Sequence, residues 1–155
     1  MDDSKQDSLI TLFKTKKSLT IALLKARESL MQSFRPMLAK HNFTEQQFRV
    51  LRVLGEKGPC DAGELAHEAC ILSPSLSRII NTLCKNQFIE KKTDDHDKRK
   101  IILRISNVGH KRLEEIKPEY VAILNNIQKR YGEEKLTKLL ETLSDISSLN
   151  NRQIN

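Results

Sequence analysis

Residues 73–100 read SPSLSRIINTLCKNQFIEKKTDDHDKRK, and they carry the strongest signal of the fold. Its first half has helical periodicity, because steps of about 100° per residue put its apolar side chains on one arc: Leu76, Ile79, Ile80, Leu83 and Cys84. Ser73 is expected to cap this helix, with Pro74 as its first residue and its end near Asn86. Residues 88–93 and 101–105 then have the pattern of two short strands, which predicts a β-hairpin around a charged loop.

The outer face of this helix carries no acidic side chain, whereas a helix that is merely solvated usually carries Glu/Lys pairs. Its polar side chains are hydroxyls, one amide and two cations: Ser73, Ser75, Ser77, Arg78, Asn81, Thr82 and Lys85. Such groups contact phosphates and base edges, with Arg pairing to guanine, Asn to adenine, and Ser or Thr to either. An ordinary surface helix is the alternative. The hairpin directly downstream favours a helix that reads DNA.

The tip of the hairpin concentrates positive charge in Lys98, Arg99 and Lys100. Asp97 lies two residues before Arg99, and we expect it to hold the Arg99 guanidinium in one rotamer. An arginine preset on a protruding hairpin suits the narrow, negative minor groove of DNA. A solvated charged turn is the alternative interpretation.

Two helices and a short third one are predicted upstream. A long amphipathic helix begins at Ser18 and bends or ends near Pro36 or just beyond it. Thr44 and Gln47 form a capping box for the next helix, which Gly58 and the following proline end. Its buried side is expected to be Val50, Leu51, Val53 and Leu54, and its exposed ion pairs Glu45 with Arg49 and Arg52 with Glu56. The short helix covers residues 61–69.

Downstream, Ser106 is expected to cap a long helix that ends at Gly132, and a last helix follows. The last helix repeats leucine and isoleucine at heptad-like spacing, which predicts a packing seam: Leu136, Leu139, Leu140, Leu143, Ile146 and Leu149. The predicted fold is mainly α with a small β-hairpin. A winged helix-turn-helix lobe at residues 44–105 is flanked by dimerisation helices at 18–43 and 106–150, so we expect a homodimer.

The net charge and the distribution of apolar residues indicate what kind of partner the protein binds and in which compartment it is found. The 155 residues carry a formal net charge of +7, which favours a polyanion, and nucleic acid before a membrane. The N-terminus has no apolar core for a signal peptide, and no apolar run approaches the roughly 18 residues of a membrane span. We therefore expect a cytoplasmic protein that binds double-stranded DNA and no membrane.

No catalytic constellation, nucleotide-binding motif or metal-ligand spacing occurs in the chain, so we expect no enzyme activity, no cofactor and no metal site. The three cysteines are most simply small buried apolar side chains, with Cys60 and Cys70 the candidates for a thiol sensor. The four histidines are far apart in sequence: His41, His67, His96 and His110. A thiol- or metal-responsive regulator, or a helical dimerisation adaptor without a DNA target, remains the alternative.

The sequence resembles the MarR family of bacterial regulators over residues 18–149. Five segments carry the resemblance: residues 51–54, 65–66, 73–80, the wing motif at 97–100 and the S-x-x-G turn at 106–109. Residues 18–28 and 41–47 are similar to the subgroup that represses aromatic-acid catabolic operons, of the homoprotocatechuate and hydroxycinnamate type. The resemblance implies a two-fold dimer built from the first and last two helices. It also implies a pseudo-palindromic operator and release when a small phenolic acid binds between the lobes.

Arg27 is the candidate anchor for the carboxylate of such an acid. It falls in the middle of the apolar arc of the first helix, where a buried guanidinium must be paired. A bidentate pair with the acid is one hypothesis, with the aromatic ring resting on Leu23, Leu30 and Phe34 and a phenol hydroxyl bonded to His41. A salt bridge to an acidic residue of another helix or of the other subunit is the alternative, and Arg49 is then the fallback anchor.

Overall fold

The computed structural model describes residues 18–149. The N-terminus, where no signal peptide is predicted, and residue 150 of the predicted C-terminal dimerisation helices lie outside the described residues. The chain divides into two units, Met1–Leu113 and Glu114–Asn155, and each is described by itself. The elements in chain order are α1 (Leu19–Lys40), α2 (Glu45–Lys57), β1 (Cys60–Asp61), α3 (Ala62–Glu68), α4 (Ser73–Lys85), β2 (Ile89–Thr93), β3 (Ile101–Ile105), α5 (Asn107–Tyr131) and α6 (Glu133–Ser147). The fold is mainly α with a small sheet, as predicted.

Helix α1 runs through Pro36 to Lys40, with Ser18 as its N-cap. Only its C-terminal part is buried, at Phe34, Met37 and Leu38. The rest of the predicted apolar arc of α1 is half-buried or exposed in the isolated chain. Near its N-terminal end, the side chains of Leu24 and Leu30 are exposed.

Helix α2 begins with the predicted capping box. The Thr44 hydroxyl accepts from the Gln47 N–H, and the Gln47 side chain accepts from the Thr44 N–H. Three of the four expected residues are buried, Val53 is half-buried, and Phe48 is an additional buried residue. The Arg52–Glu56 ion pair forms at 3.0 Å. The expected Glu45–Arg49 pair is wrong, because Glu45 pairs with arginines of α1.

The helix-turn-helix is formed by α3 and α4. Asp61 caps α3 through a second capping box with Glu64. Helix α4 starts at Ser73 with Leu72 as its N-cap, one residue earlier than predicted. The Leu72 carbonyl already accepts from the N–H groups of Ser75 and Leu76, so Ser73 lies inside the first turn and its side chain does not cap the helix.

The predicted hairpin belongs to a three-stranded antiparallel sheet in the order β1-β3-β2. In the hairpin, Ile89 pairs with Ile105 and Thr93 with Ile101. Strand β1 adds the pairs Cys60 with Leu103 and Asp61 with Ile102. A two-residue strand has no periodicity, and for this reason the sequence gives no signal for β1.

The junction between the hairpin and α5 explains the S-x-x-G turn. Ser106 is buried, its hydroxyl donates to the Gln87 carbonyl at 2.6 Å, and its oxygen accepts from the Gly109 N–H at 2.9 Å. The predicted Ser106 cap is confirmed. A Cβ atom on Gly109 would lie 2.2 Å from the Phe88 carbonyl oxygen, so only glycine allows α5 to start this close to the strand.

In the second unit, α5 ends at Tyr131 and Gly132 follows with φ 100°, which confirms the predicted break. None of the described α6 residues is buried. Leu136, Leu143 and Ile146 are half-buried, while Leu139 and Leu140 are exposed. The predicted apolar seam of α6 is thus open in the isolated chain. Within residues 18–149, no helix has the length and apolar character needed to span a membrane.

Candidate functional site

Helix α4 divides into a buried face and an exposed face as its sequence predicts. Leu76, Ile79, Ile80 and Leu83 are buried, and Cys84 is half-buried. The seven predicted DNA-contacting residues of this helix are all exposed: Ser73, Ser75, Ser77, Arg78, Asn81, Thr82 and Lys85. Helix α4 therefore offers solvent a surface with two cations and no carboxylate.

Two hydroxyls on this face have a fixed hydrogen-bonding role. Ser77 Oγ donates to the Ser73 carbonyl at 3.4 Å, and Thr82 Oγ1 donates to the Arg78 carbonyl at 3.0 Å. Because a hydroxyl has one proton and two lone pairs, these oxygens remain available as acceptors. They are suited to amino groups on base edges more than to phosphate oxygens, which only accept.

Asn81 has a partner on the hairpin that the sequence did not reveal. Lys91 Nζ on β2 donates to Asn81 Oδ1 at 2.9 Å. Helix periodicity predicts which face Asn81 occupies. It carries no information about a lysine ten positions later on a strand. Period-two alternation from buried Ile89 does place Lys91 on the same sheet face, and this is the signal that would have found it.

The loop between β2 and β3 is organised by the side chain of Asp94. Asp94 Oδ1 accepts from the N–H groups of His96 and Asp97, each at 2.8 Å, and these backbone bonds hold the pKa of Asp94 below its ordinary value. The loop is closed by the Asp94 N–H donating to the Lys100 carbonyl at 2.9 Å. An aspartate that binds its own following backbone is a common turn device, which could have identified Asp94 from sequence.

The role predicted for Asp97 needs a correction. Its Oδ1 accepts from the backbone N–H of Arg99 at 3.0 Å, so it fixes the main chain at the tip and not the guanidinium. Lys98, Arg99 and Lys100 are all exposed, as predicted for a basic hairpin tip.

The expected burial of Arg27 is wrong, because its side chain is 44% exposed. Its guanidinium donates to Glu45 on α2 at 2.5 Å and to Glu28 at 3.2 Å. In the first half of α1, Leu24 is also exposed and Leu23 is half-buried. The alternative hypothesis, a salt bridge to an acid of another helix, is confirmed for Arg27 and Glu45.

Arg35 completes a network of two arginines and two glutamates between α1 and α2. Its Nε donates to Glu45 at 2.7 Å, and its Nη2 donates to Glu28 at 2.8 Å. The hydrogen bonds from Arg35 and then Arg27 hold the pKa of Glu45 below its ordinary value against the opposing effect of desolvation. Glu28 and Glu45 raise the pKa of Arg35. Helices α1 and α2 are therefore joined by charge at this point.

The other residues predicted to bind a ligand differ widely in exposure. Leu23 is half-buried, Leu30 is exposed and Phe34 is buried, although all three share one side of α1 with Arg27. His41 is half-buried at the end of α1, where its carbonyl accepts from Arg112 Nη2 at 3.0 Å. Arg49 is half-buried on α2: its expected partner, Glu45, is engaged elsewhere.

Comparison with known proteins gives the family. The MarR family model matches residues 43–101. The HTH-type transcriptional regulator FarR of Neisseria gonorrhoeae is 37% identical over 132 residues, which cover 85% of this chain and 90% of FarR. The chain belongs to the MarR family. The homoprotocatechuate degradative operon repressor of Escherichia coli is 34% identical over 86% of this MarR-family chain and 90% of its own length.

Among solved structures, this MarR-family chain is similar to NadR in complex with 4-hydroxyphenylacetate. The two are 37% identical, the match covers 85% of this chain and 94% of NadR, and the TM-score is 0.78. The matched family region contains α2, α3, α4 and β2, and so includes the exposed face of α4.

The cysteines of this MarR-family chain have three different environments. Cys60 is buried and desolvation raises its pKa, so its thiolate is disfavoured. Cys84 is half-buried. Cys70 is exposed, so the expectation that all three are buried is wrong for Cys70, which lies with φ 49° in the turn between α3 and α4. Within residues 18–149 no group of three His, Cys, Asp or Glu side chains is arranged to hold a metal ion.

Proposed function

We propose that this chain is a ligand-responsive, DNA-binding transcriptional regulator that represses an operon for the catabolism of an aromatic compound. The observation that carries the proposal is the exposed, acid-free face of α4 beside a basic hairpin tip. The names of FarR and of the homoprotocatechuate repressor support it. The proposed activity is binding in the cytoplasm, with no catalysed reaction and no cofactor.

In this proposal α4 enters the major groove and the hairpin tip contacts the adjacent minor groove. Arg78 and Asn81 read base edges, and Ser73, Ser75, Ser77, Thr82 and Lys85 contact phosphates or bases. Arg99, with Lys98 and Lys100, supplies positive charge at the minor groove, on the loop that Asp97 holds in shape. The chain acts as a homodimer on a pseudo-palindromic operator, whose half-sites lie about 34–36 Å apart. The lobe limits at residues 44–105 and 106–150 are part of the proposal.

The proposed effector is a small phenolic or aromatic carboxylic acid. The solved complex of NadR with 4-hydroxyphenylacetate supports this class of ligand. We propose that Arg27 or Arg49 pairs with its carboxylate, near Leu23, Leu30, Phe34 and His41. An acid that pairs with both Nη groups of Arg27 competes there with Glu45 and Glu28, whose contacts it weakens. Arg49 can bind the acid without losing a contact to Glu45, because Glu45 pairs with Arg27 and Arg35.

The DNA part is tested by selecting preferred duplexes from a randomised library and measuring their affinity by fluorescence anisotropy at increasing salt. A protein with 6–10 phosphate contacts loses roughly 10³–10⁵ in affinity between 50 and 200 mM salt. Arg99→Ala is expected to weaken binding to all duplexes and to reduce the salt slope by about one unit. Arg78→Ala is expected to relax preference at one base pair. Lys117→Ala, an equal charge change on α5, is the control.

The absence of any preferred duplex, or equal effects of Arg99→Ala and Lys117→Ala, would contradict the DNA assignment and leave the dimerisation adaptor as the better account. The effector part is tested by calorimetric titration with hydroxyphenylacetates, hydroxycinnamates and hydroxybenzoates. Loss of binding in Arg49→Ala but not in Arg27→Ala is expected if the Glu45 network is structural. The reverse pattern assigns the anchor to Arg27.

The exposure of Cys70 favours one second candidate, a thiol-responsive regulator. An oxidant such as diamide would then release the wild-type protein from its selected duplex and leave Cys70→Ser bound. If the oxidant releases both proteins from the duplex, or neither, a sensor role of Cys70 is excluded. The proposed DNA-binding function is not affected by that result.

A further inference from the structure

The contact between Lys91 and Asn81 joins the hairpin to the proposed DNA-reading face of α4. Strand β2 alternates between its two sides, so Lys91 shares a face with buried Ile89, and Lys92 lies on the opposite face. The Lys91 ammonium extends along this face to Asn81 Oδ1 at 2.9 Å. Lys92 pairs instead with Asp95, at 2.9 Å. Two adjacent lysines of equal charge therefore have different partners.

The ammonium group fixes the orientation of the Asn81 amide. Lysine has three N–H donors and no acceptor, so it is the carbonyl end of the amide that faces Lys91. The NH₂ group of Asn81 then points away from Lys91, on the exposed side of α4. A bidentate pair with adenine needs the oxygen and the nitrogen of the amide side by side on the edge of one base. Lys91 already uses one of the two lone pairs of this oxygen, so it competes with an adenine amino group for Oδ1.

We propose that Lys91 is a positioning residue for Asn81 and sets which base Asn81 prefers. Lys91 takes one of the two Oδ1 lone pairs and leaves both N–H donors of the amide free, so Asn81 favours an acceptor such as guanine O6 or N7 over the paired acceptor and donor of adenine. The inference rests on the proposed function, because it requires α4 to lie in the major groove. It revises the simple expectation that a groove-facing asparagine selects adenine.

The experiment selects duplexes from a randomised library at one salt concentration with six proteins: wild type, Lys91→Met, Lys91→Arg, Lys92→Met, Asn81→Ala and the double variant of Lys91→Met with Asn81→Ala. Lys91→Met removes the donor and keeps the aliphatic stem. We expect it to raise the adenine-to-guanine ratio at one base pair of each half-site about fivefold, the low end of what one good base contact contributes. Lys91→Arg still donates to Oδ1 and keeps the wild-type preference.

Lys92→Met is the matched control, since it loses the same charge one residue away on the other face. It is expected to weaken all duplexes alike, without a change of preference. In the Asn81→Ala background, Lys91→Met is expected to change no preference further. The proposal is overturned if Lys91→Met behaves like Lys92→Met, because Lys91 is then only a phosphate contact. A wild-type protein that selects no duplex overturns the proposed function itself, so the two failures are distinguishable.

Discussion

The Arg27 guanidinium on α1 donates to the Glu45 carboxylate on α2 at 2.5 Å, across 18 positions of sequence. Arg35 binds the other oxygen of the same carboxylate at 2.7 Å. Glu45 is the least exposed member of this network, at 24% of its side-chain surface. It also follows the Thr44 cap, in the first turn of α2, where a negative charge interacts favourably with the helix dipole. The first helix is thus tied to the start of the DNA-binding lobe.

The coupling between Arg27 and Glu45 is measurable by a double-mutant cycle in urea unfolding. We expect Arg27→Ala, Glu45→Gln and the double variant to give a favourable coupling of about 0.2–1 kcal/mol, because partly exposed ion pairs contribute little. The exposed Arg52–Glu56 pair provides a reference cycle, for which about 0.3–0.5 kcal/mol is expected. A coupling of zero between Arg27 and Glu45 would mean that the contact does not hold α1 to α2.

The contribution of Glu45 to the free energy of unfolding is expected to depend on pH. Arg35 and then Arg27 lower the pKa of Glu45 in the folded chain from its ordinary value of 4.5. A group with a depressed folded pKa contributes stability that is fully present above its unfolded pKa and is lost as pH falls through the folded pKa. The difference in free energy of unfolding between wild type and Glu45→Gln is therefore expected to shrink as pH falls below 4.5. Urea titrations at a series of pH values measure it, and a difference that grows toward acid pH would contradict the network.

Periodicity and capping predicted most of the fold, because these signals are local. The Thr44 capping box, the hairpin strands and the Ser106 cap all depend on residues within a few positions of one another. Strand β1 was missed because two residues carry no period. Arg27 was misplaced because a helical wheel assumes a covered face, and the side chains that do meet Arg27 include one 18 positions away. The Lys91–Asn81 contact was missed for a similar reason, because its two residues lie ten positions apart in the sequence.

Asp94 is expected to matter for DNA binding through the shape of the hairpin loop. Asp94→Ala removes a negative charge near the basic tip, and by charge alone this would tighten DNA binding. It also removes the acceptor for two backbone N–H groups, so we expect looser ordering of Arg99 and a severalfold weaker affinity. Asp95→Ala, the same charge change at a side chain that accepts a hydrogen bond from Lys92, is expected to bind equally or more tightly. Fluorescence anisotropy with a selected duplex compares them, and equal tightening by both variants would refute the structural role of Asp94.

The open apolar seam of α6 is expected to be covered by a second copy of the chain. Leu139 is exposed and Leu143 half-buried, although both lie on the apolar side of α6. We expect Leu139→Glu and Leu143→Glu each to shift the protein from dimer to monomer at micromolar concentration, because a charge is costly in an apolar interface. Ser144→Glu, on the polar side of α6, should remain a dimer. Sedimentation velocity gives the answer, and a wild-type monomer at that concentration would rule out the dimer.

We expect one molecule to bind both an operator and an aromatic acid, and each of these ligands to weaken the binding of the other. Titration of the wild-type protein into a selected duplex, with and without 4-hydroxyphenylacetate and related hydroxycinnamates and hydroxybenzoates, tests it most directly. We expect at least one of these acids to raise the Kd for DNA in a saturable way, by roughly 5- to 150-fold. The DNA should weaken the binding of that acid by the same factor. If none of these acids changes the Kd for DNA, the protein is not a regulator that an aromatic acid releases from its operator.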